Sequence, residues 1–211
     1  FVGSAIDVDK HLTPVYKPWD QRVCLVPNGD LFKCLKAGRA TIVTEHINEF
    51  TSKGISLQSG GELEADVVIS ATGLKMIPFG GIKMFIDEEQ INFAQTTQYK
   101  GVMLSGIPNF FVASGYTNAS WTLKCDLTSQ YFCRLVNYCL KKGYKVCVPK
   151  DIENSEKKVM QVGLESGYIL RSIEDFPREG LNSPWKLRQN YFLDLFELKL
   201  SRLRNKNISF S

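Results

Sequence analysis

Residues 60–74, GGELEADVVISATGL, constrain this chain more than any other stretch. The turn Ser59-Gly60-Gly61 leads past Glu64 and Asp66 into Val67-Val68-Ile69, a short apolar β-branched run. A run of that kind, bounded by turn residues, predicts a strand buried on both faces. It ends in Ala71-Thr72-Gly73, where small residues let the backbone approach something bulky and glycine permits a sharp exit. In an open α/β sheet, ligands lie beyond the carboxyl ends of strands, so this tip is a candidate binding edge. A buried strand followed by an ordinary turn has the same pattern.

Two further strands are expected before it, at 41–44 (continuing toward Ile47) and 55–58, with a third at 65–70. Short turns join them, so a β-meander is the economical arrangement. Residues 1–19 read as an extended loop enclosed by Pro14 and Pro18. After the turn Pro27-Asn28-Gly29, Asp30 is placed to cap a short helix over 31–37 that stops at Gly38. A small hairpin is expected within 83–91. Phe110-Phe111-Val112-Ala113 is a second buried-strand candidate, running into Ser114-Gly115.

Beyond Gly115, Asn118 is a plausible cap for a helix that continues to about Lys142 and is stopped by Gly143. Leu123, Leu127, Tyr131, Leu135 and Cys139 recur at near-fourfold spacing along it. Residues 150–158 are charged and read as an exposed linker. A last helix is expected from about Leu187 to Leu203.

With 211 residues, 44% apolar and 23% charged, the chain has globular composition and room for one large domain or two small ones. Its net charge is only +4, and no Lys/Arg cluster is interleaved with aromatics, which argues against nucleic-acid binding. The six cysteines form no CxxC pair and His11 and His46 lie far from most of them, so no zinc site is expected. Cysteines at apolar helix positions favour a reducing, cytoplasmic setting. No apolar run approaches the length needed to cross a bilayer, so membrane association is not indicated.

Two constellations could carry chemistry. A strand ending at Ser114-Gly115 before a capped helix aims backbone N–H groups and the positive helix end at one point, which suits an anion or an electron-rich ring edge. A plain strand–turn–helix unit gives the same sequence. Arg22, beside Trp19 in a proline-bounded loop, carries a charge that cannot be titrated away and suits holding a transient anion. By residue type alone, a solvated or salt-bridged surface arginine is the commoner explanation. Trp121 and Lys124 share a helix face without a role that sequence can assign. No nucleophile elbow, P-loop or GxGxxG occurs. The chain reads as the later part of an α/β dinucleotide enzyme whose phosphate-binding turns are elsewhere.

Three segments together resemble the flavin-dependent monooxygenases: HLTPVYKPWDQRVCLVPNGDLF (11–32), ELEADVVISATGL (62–74) and MLSGIPNFFVASGYTNASWTLKCDL (103–127). Within that superfamily they are most similar to the Baeyer–Villiger monooxygenases of the ethionamide-activating type. The closing segment, GYILRS with a later PW and QNY (167–191), fits the same group. The PWDQR and GYTNASWT blocks in order are the specific part of the likeness.

The resemblance implies the C-terminal portion of an α/β flavoprotein with two dinucleotide-binding domains, a β-meander and a long helix. Residues 1–70 would end the NADP-binding domain, 71–150 would be the returning part of the FAD-binding domain, and 151–211 a closing segment. The N-terminal half of the enzyme would precede Phe1. The implied activity uses FAD and NADP, forms a flavin peroxide with O2, and oxygenates a small-molecule ketone or a soft sulfur. Arg22 would be the catalytic residue, stabilising the peroxide anion and the adduct. Thr72 and Gly73 would lie at the cofactor crossover. Gly115 and the helix starting near Asn118 would face the flavin edge, with Tyr116 and Trp121 bordering the nicotinamide–flavin region. Two alternatives stay open: a flavin N/S-oxygenase without Baeyer–Villiger activity, and a non-catalytic chain acting as a folding or interaction unit.

Overall fold

A computed structural model describes residues 6–17, 24–151, 157–159 and 166–211. Helix and strand are mixed in them, as in an α/β chain, and every named ladder is antiparallel. The chain divides between Gly73 and Leu74 into two units.

In the first unit, the stretch expected to be extended contains a short helix, α1 (Val8–His11), because Asp7 caps it: its Oδ1 accepts from the Lys10 amide at 3.1 Å. Helix α2 (Asp30–Lys36) forms where a helix was expected, but Asp30 is its first residue and not its cap. Gly29, in the left-handed region at φ 65°, makes the entry instead. Strands β1 (Ile47–Phe50), β2 (Gly54–Leu57) and β3 (Glu62–Glu64) pair in sequence order. Gly54 is required there, since a Cβ would collide with the Leu63 carbonyl oxygen.

The strands do not have the expected bounds. Residues 41–44 are not strand, and the third strand ends at Glu64, before the apolar run. The Ala65 amide still bonds the Lys53 carbonyl at 2.9 Å, but residues 66–70 join no ladder among the described residues. Val67 and Ile69 are 77% and 86% exposed, so the doubly buried strand is not present. Apolar character licenses burial only where another surface arrives to cover it.

The second unit begins with a hairpin, β4 (Phe85–Ile86) and β5 (Glu89–Gln90), as expected within 83–91. Asp87 and Glu88 turn it with φ of 49° and 70°. A second short pair follows, β6 (Gln98–Tyr99) and β7 (Met103–Leu104). Residues 110–113 make a single bridge, Phe111 to Met103, rather than a strand.

Helix α3 (Trp121–Lys142) is the longest element, with 22 residues. Ser120 precedes it, so Asn118 is not its cap. It ends as expected at Gly143 (φ 74°) in a Schellman motif: Tyr144 N–H bonds Cys139 O at 2.9 Å and Gly143 N–H bonds Leu140 O at 3.3 Å. Leu127, Tyr131 and Leu135 are buried, but at the first turn Lys124, not Leu123, faces inward. Fourfold spacing on a 3.6-residue helix drifts by about 40° per step, so five such residues cannot share one core-facing stripe.

Strand β8 (Cys147–Pro149) pairs with β11 (Ile208–Phe210), and β9 (Lys157–Lys158) with β10 (Glu179–Gly180). Much of the expected 150–158 linker lies outside the described residues. Between these pairs come α4 (Gly167–Leu170) and α5 (Tyr191–Asp194), the latter running directly into a π-helical turn, Leu195–Leu200. The expected start at Leu187 is displaced to Tyr191 because Asn190 caps there, accepting from the amides of Phe192 (3.0 Å) and Leu193 (3.1 Å). Tyr99, Met103, Leu127, Tyr131, Leu135, Trp185 and Leu198 form the core of this unit.

Candidate functional site at the start of the long helix

The chain reaches α3 through Ser114, Gly115, Tyr116 and Thr117. Gly115 lies flush against Trp121, and a Cβ at this position would overlap the indole. The room a side chain would take is filled by Trp121, and both residues line a cavity of about 210 Å³. Ser114, Gly115, Thr117, Trp121, Phe79 and Leu187 line it, and Gln98, Lys124 and Gln189 add polar atoms.

The approach loop is held by the segment before α5. Thr117 N–H bonds Gln189 Oε1 at 3.1 Å, and Asn118 Nδ2 donates to Gln189 O at 3.1 Å. Ser120 makes no side-chain cap bond to the helix; its hydroxyl instead meets Thr122 Oγ1 at 2.8 Å. The first turn of a 22-residue helix therefore keeps N–H groups that its own cap does not satisfy.

A buried charge pair underlies the cavity. Lys124 Nζ lies 3.1 Å from Asp194 Oδ2. Tyr116 Oη donates to the same carboxylate oxygen at 2.7 Å, and Lys124 Nζ sits 5.2 Å from the Tyr116 ring centroid. Burial, reinforced by the Asp194 hydrogen bond and charge, pushes the Tyr116 hydroxyl far above its ordinary value, so it stays a donor. Lys124 also reaches Arg188 O at 3.4 Å, tying α3 to the loop that carries Gln189.

The expected site residues are distributed as follows. Gly115 and Trp121 line the cavity together. Tyr116 is 1% exposed and its hydroxyl is committed to Asp194, placing the side chain in the core under the loop. Asn118 is exposed and serves as a loop tie. Thr72 and Gly73 close the first unit. Thr72 Oγ1 lies 3.4 Å from Ser70 Oγ, and Gly73 has φ 97°. Arg22 and Trp19 lie outside the described residues. Sequence reasoning left Lys124 without a role and missed Asp194, Thr117, Gln98 and Gln189. The one-turn spacing of Trp121 and Lys124 was the available signal, and nothing local announces Asp194, 70 residues beyond Lys124.

No protein-family model matches the chain, and no solved structure matches it. Curated relatives do. The FAD-containing monooxygenase EthA of Mycolicibacterium smegmatis is 43% identical over 208 residues, covering 99% of this chain and 42% of that protein. The chain is homologous to part of the FAD-containing monooxygenases. EthA of Mycobacterium tuberculosis is 46% identical over 209 residues, 97% of this chain and 42% of the relative. The probable FAD-binding monooxygenase AlmA of Acinetobacter baylyi is 48% identical over 195 residues, with 92% and 39% covered. The chain thus spans about two-fifths of the length of the monooxygenases it matches.

The residues at the α3 cavity suit a flavin. A ring system needs a lining without projecting side chains, and Gly115 packed against Trp121 contributes to one. An electron-rich ring edge needs donors, and the uncapped helix start provides them. Trp121, 63% exposed, offers a flat apolar face at the same place.

Proposed function

We propose that this chain supplies the part of an FAD- and NADPH-dependent monooxygenase that closes over the flavin, and that the enzyme oxygenates a ketone (Baeyer–Villiger) or a soft sulfur. The single observation carrying this is identity of 43–48% to named FAD monooxygenases along 92–99% of the chain. The cavity at the start of α3 supports it by its chemistry.

Bound FAD would supply the oxygen activation. The chain's own residues would do the rest. The backbone at Ser114 and Gly115 would accept the ring at close range, and the α3 N-terminus would favour negative charge on its edge. Trp121 would wall the site from water. The Lys124–Asp194–Tyr116 cluster would fix the floor, holding the loop and the helix in one geometry. Arg22 would hold the oxyanion, and Thr72-Gly73 would pass beside the cofactors. These assignments follow from the family resemblance.

The test is a chimera in which this chain replaces the matching segment of the M. smegmatis relative. It should purify with a flavin spectrum, consume NADPH, and convert a ketone to an ester. Sulfoxide from a sulfide without any ester from a ketone would favour an N/S-oxygenase. A chimera that folds but binds no FAD would sink the reading, leaving the chain as a folding or interaction unit. The 211-residue chain by itself should be colourless.

A further inference from the structure

A second cavity, about 480 Å³, opens in the second unit between Lys100, the Ser183–Arg188 loop and the π-helical turn after α5. It shares no lining residue with the cavity at α3. Four cations line it, Lys100, Arg188, Arg202 and Lys206, against one carboxylate, Glu197.

That carboxylate is already engaged. Glu197 Oε1 accepts from the Ser183 hydroxyl, and Oε2 forms an ion pair with Arg188 Nε at 3.8 Å, too long for a hydrogen bond. Arg188 Nε is buried and has no hydrogen-bond acceptor among the described residues. Lys100, 7% exposed, donates from Nζ to Ser201 Oγ at 2.7 Å and Glu197 O at 3.1 Å, and its ammonium lies 5.3 Å from the Tyr131 ring centroid. Part of the lining is apolar: Pro184, Leu193 and Phe196 border the cavity, and Phe196 is 65% exposed. Four cations against one carboxylate, a buried guanidinium N–H lacking a hydrogen-bond acceptor and an aromatic lining residue together suit a ligand with an anionic head and an apolar body. Guanidinium and ammonium donors lining one cavity favour the multiply charged, many-acceptor phosphate over a carboxylate. The volume exceeds what inorganic phosphate needs and falls in the range of small-molecule sites.

We propose that this cavity binds a phosphate monoester, its dianion held among Arg188, Arg202 and Lys100 and its organic part against Phe196 and Leu193. The site is independent of the flavin reading, since none of its residues belongs to the α3 cavity.

The probe is phenyl phosphate, titrated calorimetrically into the 211-residue chain in chloride buffer at constant ionic strength. Saturable binding is expected, at least tenfold tighter than inorganic phosphate. Arg202→Gln, a change at the exposed rim, should weaken it about tenfold, and Arg188→Gln at least as much. Arg188→Lys, which keeps the charge but not the fork, should recover only part. Lys36→Gln, in the first unit, should change nothing. Non-saturable heat, equal affinity for inorganic phosphate, or indifference to both Arg202→Gln and Arg188→Gln would overturn the proposal. So would binding to phosphatidic acid vesicles without binding to phenyl phosphate, which would reassign the patch to a lipid surface.

Discussion

Lys124 on α3 and Asp194 at the end of α5 meet at 3.1 Å with their side chains 3% and 5% exposed. Seventy residues apart in sequence, they join the helix that begins at the candidate flavin cavity to the loop that holds its mouth. A pair this deep stabilises little relative to an apolar replacement, but breaking it strands a charge.

Lys124→Met should therefore destabilise the chain by about 3–5 kcal/mol. Lys124→Met with Asp194→Leu should cost much less, because no charge is left alone. Urea unfolding of the two variants compares them. A single variant as stable as the parent would remove the pair from the account.

Gly115→Ala should cost about 1–3 kcal/mol, the usual range for forcing atoms into a filled space. The added methyl meets the Trp121 ring, so Gly115→Ala combined with Trp121→Ala should recover most of the loss. Thermal midpoints of the three proteins read this coupling. Additive losses would show that the two residues do not touch.

Lys100 gives a pH signature. Burial, the largest cause, pulls its ammonium down from 10.5 to about 8, while Glu197 opposes the shift and Arg134 adds to it. Below pH 8 both folded and unfolded chains carry the proton, so the burial cost is constant. Between 8 and 10.5 the unfolded chain holds more proton than the folded one, so stability rises with pH in that window. Denaturant midpoints of the parent relative to Lys100→Met should diverge upward from pH 8. A flat difference would contradict the burial.

Arg22→Ala in the chimera should leave FAD bound and lower ester formation by about 100- to 1000-fold, the usual cost of losing a group that stabilises a developing anion. Flavin absorbance and product yield are measured on the same preparation. Unchanged turnover would remove Arg22 from the mechanism.

Some of the site was legible from residues and some was not. Gly115 and Trp121 were picked out together and the structure brings them to one cavity, because a glycine before a helix signals close approach in the local chain. Tyr116, adjacent to both, goes the opposite way into the core, since its hydroxyl finds a carboxylate far along the chain. The apolar run 67–69 had the strongest strand pattern, yet the ladder ends at Glu64 and the run lies open. Its side chains favour a covered position, but the pattern cannot state which surface would cover it.

The sequence by itself determined the long helix and its stop at Gly143, a hairpin within 83–91, and the kinship with flavin monooxygenases. Helix periodicity, a left-handed cap and a tight turn act within a few residues, so they are written where they operate. Tertiary structure alone decided that Lys124 faces inward, that Asp194 meets it, and that Glu197 pairs with Arg188 Nε at 3.8 Å without hydrogen-bonding it. Charges are placed by partners from distant segments, and burial is a property of the surfaces that meet rather than of the residue that is covered.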